Sequence, residues 1–269
     1  MSGRNTSPGR SVTSKMFAIL EVFTGERTEW SLSDIARASG LPTSTVHRLI
    51  QDLVEWGGLE RTSRGNYRVG VRLWEVAARS TRTYGMRETA LPFLQGLWEM
   101  THAHVLLAVL DGSQAILVEK ISGTRDVPPV GRAGGRLPLH ASAVGKVLLA
   151  YSGPDLEREI LSKPLKAYTA ETITDPNALR HEIARVRRSG TATSVEELTP
   201  GSESCAAIVT GPTEIGPAAV SILGTPGTRD RREMTLLVQS AARGLTHALN
   251  NTAPANPITP RLPRPWADS

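Results

Sequence analysis

A single cysteine, Cys205, occurs among 269 residues, so no intrachain disulfide can form and no cysteine-rich metal framework exists. That excludes a disulfide-stapled secreted scaffold and fits a reducing compartment. No apolar run approaches the roughly 18 residues that mark a membrane-spanning helix. The N-terminus, Met-Ser-Gly-Arg-Asn-Thr-Ser-Pro-Gly-Arg, lacks the apolar core of a signal peptide. A soluble, cytoplasmic protein with no membrane partner is therefore expected. Lysine is scarce, at five positions against 26 arginines, a skew that codon bias produces as readily as phosphate binding does.

The chain is long enough for two domains with separate cores. Its net charge is +5, and the distribution matters more than the total: residues 1–87 hold 13 basic and 8 acidic side chains, and the remainder holds 18 of each. The whole excess lies in the first third, which is thereby a candidate nucleic-acid module.

Residues 1–10, rich in Ser, Gly and Arg, read as a mobile arm, with Arg4 and Arg10 available to phosphates. From Val12, the apolar residues Met16, Ile19, Leu20 and Phe23 share one helical face as far as Gly25. Ser31 stands three residues before Asp34, the spacing of a capping box, and opens a brief helix that Gly40 ends. Pro42 suits the first turn of a third helix with Val46, Leu49, Ile50 and Leu53 as its buried stripe. Ser44, His47, Arg48 and Gln51 fall on the opposite face, where they can reach base edges or phosphates. Leu59–Thr62 and Tyr67–Val69, joined by the turn-forming Ser63-Arg64-Gly65-Asn66, read as a hairpin. Helix-turn-helix plus basic hairpin makes residues 11–70 a winged helix-turn-helix. Its candidate DNA contacts are Ser33, Thr43, Ser44, Thr45, His47 and Arg48, with Arg64 and Asn66 at the wing tip.

Residues 71–87 read as a linker helix, and a further helix follows at about 88–100. The period then changes to extended: His104–Leu110 and Ala115–Ile121 flank a turn at Asp111-Gly112-Ser113. Helices are predicted at 141–151, 155–161 and 175–188, strands at 205–210 and 218–223, and a closing helix at 234–249. An antiparallel sheet with helices laid against it is an α+β domain, spanning 88–249. Residues 250–269, proline-rich and poor in aliphatics, read as a disordered tail.

The run Ser31-Leu-Ser-Asp-Ile-Ala-Arg-Ala-Ser-Gly-Leu-Pro-Thr-Ser-Thr-Val-His-Arg-Leu-Ile50, with Gly65-Asn-Tyr-Arg-Val-Gly70, resembles the DNA-binding end of IclR-type transcriptional regulators. Gly-Arg-Leu-Pro-Leu-His-Ala-Ser-Ala-Val-Gly-Lys (135–146), Thr-Ile-Thr-Asp-Pro (172–176), and Glu-Glu-Leu-Thr-Pro-Gly (196–201) before Cys205 occur in that family's order. The resemblance covers about residues 11–249. It implies a one-component regulator, a repressor by preference, with a winged helix-turn-helix joined by a linker helix to a C-terminal, GAF/PAS-like antiparallel-sheet effector domain. It implies a homodimer, or a dimer of dimers, on a palindrome-like operator of double-stranded DNA. The implied effector is a small organic or aromatic acid, with Ala143, Val144, Ser194, Cys205, Ser221 and Leu223 as its candidate contacts. Two departures stand out. Ser194-Val195 replaces the family's frequent Asp pair, and three residues separate Gly201 from Cys205 where two are usual.

Other readings compete at particular residues. His140, Ser142 and Lys146 could suggest a hydrolase fused to the winged helix, yet no Gly-x-Ser-x-Gly elbow or orienting acid accompanies them. No catalytic residue is assigned, Ser142 is expected to cap a helix, and Lys146 to sit on a solvated face. His102 and His104, two apart, would share one face of a strand, but no third metal ligand is near, and neither metal nor cofactor is expected. Cys205 is expected to be a buried small hydrophobe. A constitutive DNA-binding scaffold is the remaining alternative.

Overall fold

The computed structural model describes residues 11–25, 27–80, 85–123, 131–212 and 216–251. The arm with Arg4 and Arg10, residues 81–84 of the expected linker helix, and the tail beyond Asn251 lie outside the described residues.

The N-terminal unit packs helices α1 (Val12–Glu21), α2 (Leu32–Ser39) and α3 (Thr43–Glu55) against a hairpin of β1 (Leu59–Arg61) and β2 (Tyr67–Val69). Ile19, Phe23, Ile35, Val46, Leu49, Leu53, Leu59 and Tyr67 form its buried core. The α2 start is fixed by the Ser31 hydroxyl, which accepts from the Asp34 N–H at 3.2 Å. Its end is fixed by Gly40 at φ +66°, a left-handed conformation that costs a residue without Cβ nothing. Trp30 pairs with Tyr67 through two backbone hydrogen bonds of 2.9 and 2.8 Å and widens the wing's sheet.

The helix that opens the linker is shorter than the sequence suggests. Helix α4 (Val71–Ala77) ends after two turns, and its Val71, Trp74 and Val76 are exposed. Apolar residues at helical spacing predicted a longer element, but none of them is buried within the chain to extend it.

The C-terminal unit is a six-stranded antiparallel sheet in the order β5-β4-β3-β8-β7-β6. Its strands are β3 (His104–Asp111), β4 (Gln114–Ile121), β5 (Arg136–Pro138), β6 (Thr191–Val195), β7 (Glu203–Val209) and β8 (Ala218–Gly224). On one face lie α5 (Met86–Thr101) and α9 (Arg231–Asn251), packed on Val105, Leu107, Cys205, Ala207, Val220 and Ile222. On the other lie α6 (Ala143–Tyr151) and α8 (Pro176–Ser189), packed on Leu106, Ala108, Ala192, Ala206 and Ala219, with α7 (Pro154–Leu161) outside them. Both faces are covered, so β3 reads as a continuous apolar run rather than an alternation.

Strands β5 and β6 are not apparent in the sequence: both are edge strands, one three residues long and the other, Thr-Ala-Thr-Ser-Val, polar. The last helix continues through Asn250 and Asn251, past the predicted start of the tail.

Candidate functional site

Helix α3 turns Val46, Leu49, Ile50 and Leu53 into the core and leaves Thr43, Ser44, His47, Arg48 and Gln51 exposed, with Thr45 half-buried. Pro42 occupies the cap position and no side chain caps the helix, so the N–H groups of Thr43, Ser44 and Thr45 have no intrahelical acceptor. Such donors, with the positive end of the helix dipole, suit a phosphate. Ser33 is exposed on α2, its hydroxyl 3.0 Å from that of Ser31.

The basic residues of this unit divide into paired and unpaired. Arg27 and Arg37 both engage Asp34, and Arg68 engages Glu60. The Ser31 hydroxyl, ahead of the two arginines, holds the Asp34 carboxyl below its ordinary range, as the Arg68 hydrogen bond does for Glu60. Arg48, Arg61 and Arg64 have neither ion pair nor side-chain hydrogen bond among the described residues. Arg48 lies on α3, Arg61 at the end of β1 and Arg64 in the wing turn. Sequence reasoning missed Arg61. Strand alternation does not signal it, because Arg61 shares the face of the inward Leu59 two residues before and is exposed only because it ends the strand beside the turn.

The second feature is a small cavity in the C-terminal unit, about 20 Å³, between the sheet and the start of α6. Leu106, Ser221, Leu223, Ser204 and Ser194 line it from four adjacent strands, and Ala143 and Val144 close it from the helix. The Ser142 hydroxyl caps α6, accepting from the Gly145 N–H at 3.1 Å while donating to the Pro138 carbonyl at 2.8 Å. That leaves the Ala143 and Val144 N–H groups, at the first two helical positions, without intrahelical acceptors. Ser194 donates to the Ala141 carbonyl at 3.2 Å, whereas the buried Ser221 hydroxyl has no partner among the described residues. The chemistry on offer is a set of N–H and O–H donors in an otherwise apolar recess, suited to a carboxylate.

Of the six predicted effector contacts, five line this cavity and one does not. Cys205 lies on the other face of the sheet, fully buried in the α5–α9 core, with its thiol 3.3 Å from the Thr235 hydroxyl. Burial, ahead of its other interactions, pushes that thiol's pKa up. Its neighbour Ser204 faces the cavity instead. Strand geometry accounts for this, because successive residues of a strand point to opposite faces.

Lys146 corrects a second expectation. It is 1% exposed, not on a solvated face, and donates to Glu197 Oε1 at 2.6 Å and to the Thr193 carbonyl at 2.9 Å. His140 Nε2–H donates to the Lys166 carbonyl at 2.9 Å and Ser142 is committed to its cap, so the two form no nucleophile–base pair. His102 is not on a strand: it ends α5 in a left-handed conformation and is exposed, while His104 is buried on β3. Among the described residues no group of three or more His, Cys, Asp or Glu is placed to hold a metal, and no helix is long and apolar enough to cross a membrane.

One side chain ties the two units by hydrogen bonds among the described residues. Arg132, in the segment leading to β5 and Leu137 of the cavity, donates to the backbone carbonyls of Phe23 and Gly25 just past α1.

Comparison with known proteins agrees with both halves. Residues 78–247 match the bacterial transcriptional regulator IclR C-terminal family, and residues 12–63 match the IclR helix-turn-helix domain. The chain is 30% identical over 240 residues to the HTH-type transcriptional regulator XynR of Escherichia coli, covering 87% of this chain and 95% of that protein. It is 31% identical over 225 residues to the transcriptional repressor IclR of the same organism, covering 81% and 82%. Among solved structures, an IclR homolog from Microbacterium hydrocarbonoxydans complexed with 4-hydroxybenzoate superposes with a TM-score of 0.83 at 34% identity, covering 89% of this chain and 99% of that one.

Proposed function

The chain belongs to the IclR family of bacterial transcriptional regulators, and from that premise we propose that it is an effector-controlled repressor acting in the cytoplasm, not an enzyme. Helix α3 enters the major groove with Ser44, Thr45, His47 and Arg48. The uncapped start of that helix at Thr43, together with Ser33, meets phosphates, and Arg61, Arg64 and Asn66 of the wing reach the adjacent backbone. Residues 11–70 act as the DNA-binding domain, 71–87 as the linker, and 88–249 as the effector domain.

The effector in this reading is a small carboxylic acid, held by the Ala143 and Val144 N–H groups with Ser194, Ser204, Ser221 and Leu223 around it. The single observation that carries it is the Ser221 hydroxyl, buried without a partner among the described residues, facing a cavity walled by two free helix N–H groups. An unpaired buried hydroxyl costs free energy that a ligand oxygen repays. The relative bound to 4-hydroxybenzoate supports an aromatic acid. An acid of that size needs more room than the present cavity of about 20 Å³ offers, and in this reading the lining residues Leu198, Thr199 and Ser202 shift to provide it. That motion gives the acid two arrangements between which to discriminate, as control of the operator requires.

The protein works as a homodimer or dimer of dimers, and the exposed Val71, Trp74 and Val76 of α4 support self-association. Gel shift on the chain's own upstream region tests the DNA half: Arg48→Ala is expected to weaken specific binding, and unchanged binding refutes the role of α3. Thermal-shift titration with 4-hydroxybenzoate tests the other half. A rise in melting temperature that Ser221→Ala abolishes supports the reading, and no rise with any of a panel of small acids refutes it.

A further inference from the structure

A second cavity, of about 190 Å³, lies at the opposite end of Leu223, where the end of α5, the start of β3, the end of β8 and the segment before α9 meet. Leu223 lines both spaces. The second cavity holds about one order more volume than the effector cavity, and its lining is mixed: Thr101, His104, Glu203, Thr225 and Arg229 stand beside Ala103, Leu223 and Met234.

His104 is 7% exposed. The Gly123 N–H donates to its Nδ1 at 3.0 Å, which fixes Nδ1 as the acceptor and puts the ring proton on Nε2. Nε2 is buried and has no partner among the described residues. His104 lines the cavity, and Nε2 is the ring nitrogen left without a partner among the described residues. Burial, then the charge of Lys120, holds the imidazole below its ordinary pKa, so it is a neutral donor near pH 7.

Arg229 donates one guanidinium N–H to the Thr101 carbonyl, and no other acceptor is found for it among the described residues. Glu203 does not cancel its charge. One Glu203 oxygen accepts from Arg231 Nε at 2.6 Å and the other from the Gly227 N–H at 3.3 Å, so its negative charge is already taken up. The lining is thus left with one surplus cation and one unmet N–H donor. A cation ligand is disfavoured on both counts, and no three-ligand metal group is present among the described residues.

We propose that this cavity is a second binding site, separate from the effector cavity, for a small oxyanion, with Arg229 and His104 Nε2–H as its donors. A carboxylate and a phosphate ester share that chemistry, since each presents oxygens that accept from a guanidinium and a neutral N–H.

The full-length protein, labelled with ¹⁵N-histidine, is titrated in turn with inorganic phosphate and with lactate while the His104 Nε2 signal is followed. The expected result is a saturable shift with at least one of the two. Phosphate alone identifies a phosphate-bearing ligand, and lactate alone a carboxylate. Arg229→Gln is expected to weaken the binding by about 10- to 100-fold, the range for losing a charged hydrogen bond. Ser221→Ala, in the other cavity, is expected to leave it unchanged. The proposal is overturned by no saturable shift with either anion up to millimolar concentration, by equal binding to Arg229→Gln, or by binding that Ser221→Ala removes.

Discussion

Lys146 sits 2.6 Å from Glu197 Oε1 with 1% of its surface exposed, and Glu182 lies 3.8 Å away on its other side. The pair joins α6 to the segment that contributes Leu198, Thr199 and Ser202 to the cavity lining. A buried ion pair adds little net stability over a well-packed apolar replacement, but losing one partner strands the other. Lys146→Met is therefore expected to destabilise the fold by about 3–5 kcal/mol, and Lys146→Met with Glu197→Leu to recover most of that. Urea denaturation of the four members of the cycle measures it, and a single variant as stable as wild type contradicts the buried pair.

The same contact sets a pH dependence. Burial, opposed by the Lys146 charge and hydrogen bond, raises the Glu197 pKa above its ordinary 4.5. The folded state then holds this proton more tightly than the unfolded state, so the contribution of Glu197 to stability falls as pH rises from 4.5 through the raised value. Relative to wild type, Glu197→Gln should gain stability over that window and level off above it. Denaturation midpoints measured on both proteins across the window check the slope.

Cys205 provides a probe of the sheet's two faces. It is the only cysteine, fully buried, and its thiol pKa is raised by burial. Because the thiolate is the reactive species, a thiol reagent should leave the native protein unmodified and label it stoichiometrically in denaturant. Fast labelling of the native protein that a bound acid blocks would put Cys205 in the effector cavity after all.

Gly145 is where α6 meets the strand before it. A Cβ there would lie 2.4 Å from the Pro138 carbonyl oxygen and 2.6 Å from the Ser142 hydroxyl, so Gly145→Ala must displace backbone and disturb the cap. The expected cost is roughly 1–3 kcal/mol, the range for overpacking, with loss of acid-induced stabilisation. Thermal unfolding with and without acid reads both effects.

Arg61 and Arg64 have no ion pair among the described residues, unlike Arg68, which is held by Glu60. If they contact phosphates, Arg61→Ala weakens binding evenly across operator variants and lowers the salt slope by about 1. Gel shifts over a salt series measure that slope, and an unchanged slope removes Arg61 from the interface.

Arg132 ties the cavity segment to the end of α1. Its replacement by Ala is expected to leave acid affinity intact and to diminish the effect of the acid on operator affinity. Acid and operator titrations on the same variant separate the two quantities, and a wild-type response excludes Arg132 from the coupling.

Much of this was legible in the chain itself. Val46, Leu49, Ile50 and Leu53 recur at helical spacing and are buried together, and the Ser31 and Ser142 caps lie where their hydroxyl spacing puts them. Local hydrogen-bond chemistry and periodicity fix such elements within a few residues, so sequence alone reveals them. Strand β6 escaped because an edge strand of Thr, Ala and Ser carries no apolar alternation.

The sequence by itself thus determined the two domains, the exposed polar face of α3, and the helix start that closes the small cavity beside the sheet. Only the tertiary structure decided that Lys146 is buried, that Cys205 faces away from the cavity, and that Arg132 reaches α1. Each of those depends on which residue is brought opposite from 30 or more positions away, here Glu197, Thr235 and Phe23. Sequence periodicity reports which face of an element is apolar, whereas charge burial and strand parity are set by the partner that packs against it.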